Sequence, residues 1–223
     1  MSGEVSMNST RKSVHLFGEN LDEGMHICTF FRTAEERYRV LMPFIREGLE
    51  QGDRAFHIIN PSLRSNHTQR IAETGVDTAR AQVEGQLEII GWDEAYLRSG
   101  SFNQSEMLSL LPVLLNKGRT RGFPITRFIA DVAWVLNNPG AVDRMLDYEC
   151  RVNLALPKAG DIVICSYDLD TVDASMVVTA MRTHPIVLIG GIVQRNPFYV
   201  PPEELLKELS EREAPETGRP ALA

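Results

Sequence analysis

Met25-His26-Ile27-Cys28-Thr29-Phe30-Phe31-Arg32-Thr33-Ala34-Glu35-Glu36 carries the chain from a strand into a helix, and it decides the fold class. The residues from Met25 to Phe31 are apolar almost throughout, as a strand buried on both faces requires. Thr33 can cap the helix that follows, and Glu36, three residues on, can reach back to it. Tyr38, Leu41, Met42, Ile45 and Leu49 then recur with a helical period until Gly52 supplies a stop. A second apolar run, Arg54-Ala55-Phe56-His57-Ile58-Ile59, follows at once. Short apolar runs alternating with longer amphipathic ones are the signature of a parallel sheet covered by helices.

The alternation continues outward from this unit. Strands are predicted at 25–31, 54–59, 87–91, 126–132, 162–167 and 185–190. Further helices are predicted at 62–73, 104–120, 141–154, 174–182 and 202–212, with Pro112 expected to kink or break the second of these. The sequence therefore predicts an α/β fold of three layers, a mostly parallel central sheet flanked by helices, with a short C-terminal helix on its edge. A chain of 223 residues suits one such domain, placed at 25–212. Residues 1–24 and 213–223 hold too little apolar material to pack and are expected to be flexible tails.

Lys and Arg number 23 against 30 Asp and Glu, a net charge of -7, which makes direct binding to a nucleic-acid backbone unexpected. Six acidic and two basic residues between Glu203 and Glu216 concentrate that charge near the C-terminus, on a docking or simply solubilising surface. Cys28, Cys150 and Cys165 are an odd, widely spaced set that suits a reducing compartment better than a disulfide framework. No signal-peptide pattern and no apolar run of membrane-spanning length occurs, so the expectation is a cytoplasmic protein with no membrane partner.

Neither GxxxxGK[ST] nor GxGxxG is present, and the turn Phe31-Arg32-Thr33-Ala34-Glu35-Glu36 has no glycine or lysine to cradle a phosphate. GxSxG, HExxH and EF-hand patterns are missing too. Cys165 or Cys28 with His184 and Glu149 would supply the residue types of a nucleophilic site. Cysteines in apolar strands are more often small core residues, so a non-enzymatic protein is expected.

Binding chemistry has better material. Alternation along a strand puts His26 and Cys28 on one face and Cys165 and Tyr167 on one face. Asp131 and Trp134 stand near the end of the fourth strand, Tyr148-Glu149-Cys150-Arg151 lies on the helix after it, and His184-Pro185 opens the last buried strand. Each has a bland role open to it: a structural histidine, a turn-forming aspartate, a core tryptophan. Jointly they suit a small, weakly polar ligand at the carboxyl edge of the sheet, where doubly wound folds have their crevice. Zinc or iron ligands are available at His26, Cys28, Cys165 and His184, but spacing alone leaves metal and cofactor open.

The stretch from His26 to Arg37, with Leu41-Met42-Pro43-Phe44-Ile45-Arg46-Glu47-Gly48-Leu49-Glu50-Gln51-Gly52-Asp53-Arg54, resembles the opening of the MEDS family, the methanogen/methylotroph DcmR-like sensory domain. Tyr96-Leu97-Arg98-Ser99-Gly100-Ser101-Phe102, Asp131-Val132-Ala133-Trp134, Tyr148-Glu149, Cys165-Ser166-Tyr167-Asp168, Arg182-Thr183-His184-Pro185 and Asn196-Pro197-Phe198-Tyr199 follow in the family's order. The resemblance implies a RecA/KaiC-like fold without its P-loop and a sensory role in prokaryotic signal transduction, with simple hydrocarbon derivatives as the proposed ligands. It carries over His26, Cys28, Glu36, Asp131, Trp134, Glu149, Cys165 and His184 as ligand-binding candidates. The family is typically joined to a DNA-binding or kinase module, and neither fits the short flanking segments. A sensor signalling through a partner protein, a kinase or a transcription factor, or through a homodimer, is expected. Two alternatives stand beside it: a degenerate RecA-like nucleotide-binding protein using Arg32 and the Thr33-capped helix end, and a ligand-free interaction scaffold.

Overall fold

The structure is a computed structural model, and it describes residues 14–16, 19–21, 25–137, 141–156 and 160–213. The tails expected at 1–24 and 213–223 lie largely outside these residues. Within the first, β1 (Val14–Leu16) and β2 (Glu19–Leu21) form a small antiparallel pair.

From β3 (Met25–Phe31) the chain enters α1 (Ala34–Gln51). Thr33 accepts a hydrogen bond from the Glu36 amide, Glu36 accepts one from the Arg32 amide, and Gly52 closes the helix in the left-handed region at φ 84°. Next come β4 (Arg54–Ile59), α2 (Arg64–Ala72), α3 (Thr78–Glu84), β5 (Leu87–Gly91) and α4 (Gln104–Thr120). The chain continues through β6 (Thr126–Asp131), a 3-10 turn at Ala133–Asn137, α5 (Ala141–Ala155), β7 (Ile162–Asp168) and α6 (Ala174–Thr183). It ends in β8 (Ile186–Ile189), β9 (Ile192–Arg195) and α7 (Pro202–Glu213).

The seven-stranded sheet has the order β5-β4-β6-β7-β3-β8-β9, and every pair in it is parallel except β8 with β9. Ile27, Ile129, Ile164 and Leu188 pack on one face with Leu41, Ile45 and Leu49 of α1, Ile71 of α2 and Ala81 of α3. Cys28, Phe128, Cys165 and Val187 pack on the other with Leu111 of α4, Tyr148 of α5 and Ala180 of α6. These are the three layers the sequence predicts. Helix α7 rests against α5 through buried Leu205.

Three features differ from expectation. Helix α4 runs unbroken through Pro112, because the buried stripe Met107, Leu111 and Leu115 holds it to the sheet across the lost backbone bond. Helix α3 buries only Ala81 and is defined by its Asp77 and Gly85 caps, so it lacks the apolar period that reveals the longer helices. Strand β9 turns back from β8 through Gly190 and Gly191 as a largely exposed edge, without the continuous apolar run of the central strands.

Candidate functional site

Strand β3 presents His26, Cys28 and Phe30 to the face covered by α4, α5 and α6, and β7 presents Val163, Cys165 and Tyr167 to the same side, with Cys28 paired opposite Cys165. Met145, Tyr148, Glu149 and Val152 of α5, at spacings of three and four, point down onto them as buried residues. A carboxylate therefore sits in the middle of a core stripe. Helix α6 stops at Thr183, and His184, extended at φ -111° and ψ 122° before Pro185, turns its ring inward.

Four of these side chains converge. His26 Nε2 is 3.2 Å from Glu149 Oε2, His184 Nε2 is 3.7 Å from the same oxygen, and Cys165 Sγ is 3.4 Å from His26 Nε2 and 3.8 Å from Glu149 Oε2. The two imidazoles lie against each other with centroids 3.9 Å apart and planes tilted by 39°. All four residues are buried, and their ligand atoms lie within 4.8 Å of one another.

The neighbours settle the tautomers. His184 Nδ1 is 2.8 Å from the Ala180 carbonyl, which can only accept, so Nδ1 carries the proton. The Asn153 amide nitrogen donates to the Glu149 and Thr183 carbonyls, which leaves its oxygen to accept from His26 Nδ1 at 3.3 Å. Both Nε2 lone pairs thus face Glu149. Burial drives the histidines down to about 3 each and pushes Glu149 upward, while Cys165 is raised by burial and then by the neighbouring Glu149. The cluster folds around neutral imidazoles and a thiol, with burial disfavouring the charged form of the Glu149 carboxyl. Cys165 is consequently a poor nucleophile, since that role needs an accessible thiolate.

Aromatic rings wall the cluster. Tyr167 meets His184 edge-on at 6.1 Å and lies 5.4 Å from Phe30, and its hydroxyl, turned toward Glu149, completes no hydrogen bond. Beyond Tyr148, edge-on to both Tyr96 and Phe102, Trp134 stacks on Tyr96 at 4.7 Å. Among the described residues Glu149 Oε1 and His184 Nε2 also lack hydrogen-bond partners.

A family model described as "MEthanogen/methylotroph, DcmR Sensory domain" matches residues 25–185, which include the whole cluster. The chain belongs to the MEDS family. A MEDS relative, the transcriptional repressor DcmR of Methylorubrum extorquens, is 26% identical over 160 residues, covering 71% of this chain and 57% of the relative; the chain thus spans just over half the length of that protein. Among solved structures, a KaiC-like protein from Pyrococcus horikoshii OT3 superposes with a TM-score of 0.52 at 11% identity, over 75% of this chain and 71% of the other. The fold of this MEDS domain is thus RecA-like, and its family role is sensory and regulatory. Among the described residues no helix is long and apolar enough to cross a membrane.

The candidate residues of this MEDS domain separate into groups. His26, Glu149, Cys165 and His184 come together, with Tyr167 beside them, while the Cys28 thiol on the same face donates to the Ile186 carbonyl at 3.7 Å. Trp134 belongs to the adjoining aromatic stack. Arg32 and Glu36 stand at the start of α1 and form its capping box. Asp131 lies on the opposite face of the sheet, paired with Arg37 at 3.1 Å and capping the Ala133 amide, because it alternates with Ala130 along β6. The converging site also departs from the carboxyl edge where a ligand was expected: His26 is second in its seven-residue strand and His184 precedes β8, so the cluster occupies the amino half of the sheet. At the carboxyl ends of β6 and β7 a separate cavity is lined by Arg37, Tyr38, His67, Ile129, Asp131 and Ser166. Asn153 was not among the sequence candidates; its signal was the spacing of four from Glu149, two polar residues on one buried helix face.

Proposed function

We propose that this MEDS domain is a ligand-responsive regulatory module. It binds a small, weakly polar hydrocarbon derivative against the His26–Glu149–Cys165–His184 cluster and reports through a protein partner, a kinase or a transcription factor, in the bacterial or archaeal cytoplasm. One observation carries this: three buried polar atoms, Glu149 Oε1, His184 Nε2 and the Tyr167 hydroxyl, converge without partners inside an aromatic wall. Each such group costs about 1–3 kcal/mol when unpaired, so a ligand that pairs them is favoured over an empty core.

The elements that carry the cluster also hold α7. Arg182, two residues before His184, pairs with Glu208, the Val200 amide donates to the Arg182 carbonyl, and Cys150, next to Glu149, donates to the Pro202 carbonyl. A shift of α5 or the end of α6 on ligand binding would reach the acidic helix, where a partner can read it.

The nucleotide alternative is opposed by local chemistry. The first turn of α1 carries Glu35 and Glu36, and the capping box consumes the Arg32 and Glu36 amides that a phosphate would use.

The test is thermal unfolding and Trp134 emission, in a Trp92→Phe background, against short alcohols, halocarbons and methylated compounds. A true ligand at a hundred times its Kd contributes about 2.7 kcal/mol, a rise in Tm of roughly 5–10 °C for a chain of this size. A panel that moves neither signal sinks the hydrocarbon assignment.

A further inference from the structure

We propose that His26, Glu149, Cys165 and His184 are the ligands of a four-coordinate site for a divalent transition metal of zinc-like character. The proposal rests on the same cluster as the sensory role but not on the identity of the hydrocarbon.

Geometry comes first. In a tetrahedral site with metal–nitrogen and metal–oxygen bonds near 2.0–2.1 Å and a metal–sulfur bond near 2.3 Å, neighbouring ligand atoms stand about 3.3–3.7 Å apart. The four measured edges are 3.2, 3.4, 3.7 and 3.8 Å, close to those values before any metal draws the ligands in. The remaining edges, from His184 to His26 and to Cys165, fall within 4.8 Å, so His184 is the ligand that moves inward by up to about 1 Å as a metal binds.

Lone-pair direction comes second. Both histidines donate Nδ1–H outward, His26 to Asn153 and His184 to the Ala180 carbonyl, and aim bare Nε2 atoms at one carboxylate oxygen. Metal-bound imidazoles show this arrangement, with an outer acceptor fixing the tautomer and the ring. A proton alone does not explain it: one carboxyl hydrogen satisfies one Nε2, and His184 Nε2 is left without a partner. A cation at the centre engages both.

Charge comes third. Two neutral imidazoles, one carboxylate and one thiolate sum to -2, so a divalent ion makes the buried unit neutral and removes the electrostatic penalty of burying it. The mixed nitrogen, oxygen and sulfur set selects against calcium and magnesium, which prefer all-oxygen shells, and for zinc and its borderline-soft neighbours.

The experiment uses the full chain, unfolded in guanidinium with chelator under reducing conditions and refolded with Co2+ as the spectroscopic probe, because the buried donors load most readily as the fold closes. The expected result is about one cobalt per chain, with intense visible bands of a tetrahedral ion and a thiolate-to-cobalt charge-transfer band, all bleached by one equivalent of Zn2+. Cys165→Ser should abolish the charge-transfer band, His184→Ala should weaken Co2+ binding at least tenfold, and Cys150→Ser, outside the cluster, should change neither. Refolded wild-type protein holding less than about a tenth of a cobalt per chain, or a spectrum with no thiolate band, overturns the proposal even where a variant fails to fold. The two ideas fail separately. A metal-loaded protein deaf to the organic panel keeps the metal and loses the hydrocarbon. An unchanged response to the panel in metal-free protein that takes up no cobalt does the reverse.

Discussion

Lowering the pH should destabilise the metal-free protein steeply, well before ordinary carboxylates titrate. His26, His57, His67 and His184 are buried, and all four are held below the ordinary histidine value of 6.5. Burial is the main cause throughout. His26 and His184 fall to about 3 and His67 to about 4, with Arg37 adding to the last. His57 goes well below its usual range, its Nδ1 2.9 Å from His67 Nε2, while His67 Nδ1 meets the Tyr38 hydroxyl at 3.1 Å. Because the folded values are depressed, the unfolded chain takes up protons below 6.5 that the folded chain refuses. Stability is therefore fully present above that pH and lost as pH falls through it.

Between pH 6 and pH 5 each such histidine removes about 1.2 kcal/mol, or roughly 5 kcal/mol for four. Glu149 and Asp161 act with the opposite sign, since burial raises both and the folded chain takes up these protons at a higher pH than the unfolded one. They offset at most two of the four, so the net loss is about 2–5 kcal/mol over that one pH unit, a large part of a typical 5–15 kcal/mol. The assay is guanidinium unfolding at pH 7.5, 6.5, 6.0, 5.5 and 5.0 with chelator present, repeated for His67→Gln, whose loss between pH 6 and pH 5 should be smaller by about 1.2 kcal/mol. Stability that is flat or rising from pH 7 to pH 5 would refute the account of four neutral buried imidazoles.

Glu149→Gln should leave metal-free stability within about 1 kcal/mol of wild type at pH 7, because it keeps the shape of the side chain and removes a charge that burial disfavours, and guanidinium midpoints would show it. A loss above roughly 3 kcal/mol would mean the ionised form is native. Gly48→Ala should cost about 2–4 kcal/mol, since its methyl would lie 2.5 Å from Arg127 Cδ and Nε, and Arg127 is buried and tied to Asp53 and the Phe44 carbonyl at 2.8 Å each; thermal unfolding measures it. Trp134→Ala should cost about 3–5 kcal/mol by emptying the ring stack with Tyr96 and Phe102, and Trp134→Phe distinctly less, in denaturant titrations.

The sheet could be read from the chain because its six parallel strands are largely buried and so are apolar along most of their length. The run Ile162-Val163-Ile164-Cys165 leaves little room for another assignment. Helix α1 was equally plain from Thr33, Glu36 and Gly52: Thr33 and Gly52 cap it as predicted, and Glu36 reaches back one residue further, to the Arg32 amide. Strand β9 is paired on one side only and half polar, and α3 buries one alanine, so neither carries a period to detect.

For the site, alternation gave the shared faces of His26 with Cys28 and of Cys165 with Tyr167, but not the depth at which they meet. Depth follows from strand register, and register depends on contacts between segments more than a hundred residues apart, such as Cys28 opposite Cys165. The carboxyl-edge rule describes ligands that sit in a solvent crevice, and this cluster is a piece of the core. Glu149 and Asn153 occupy core-facing positions of α5, and His184 ends α6 where an apolar residue would serve packing better. If these polar groups gain partners only from what binds among them, then binding completes the packing of α5 and α6 on the sheet. Occupancy and stability of this face are then one equilibrium, and any molecule that shifts the first must shift the second.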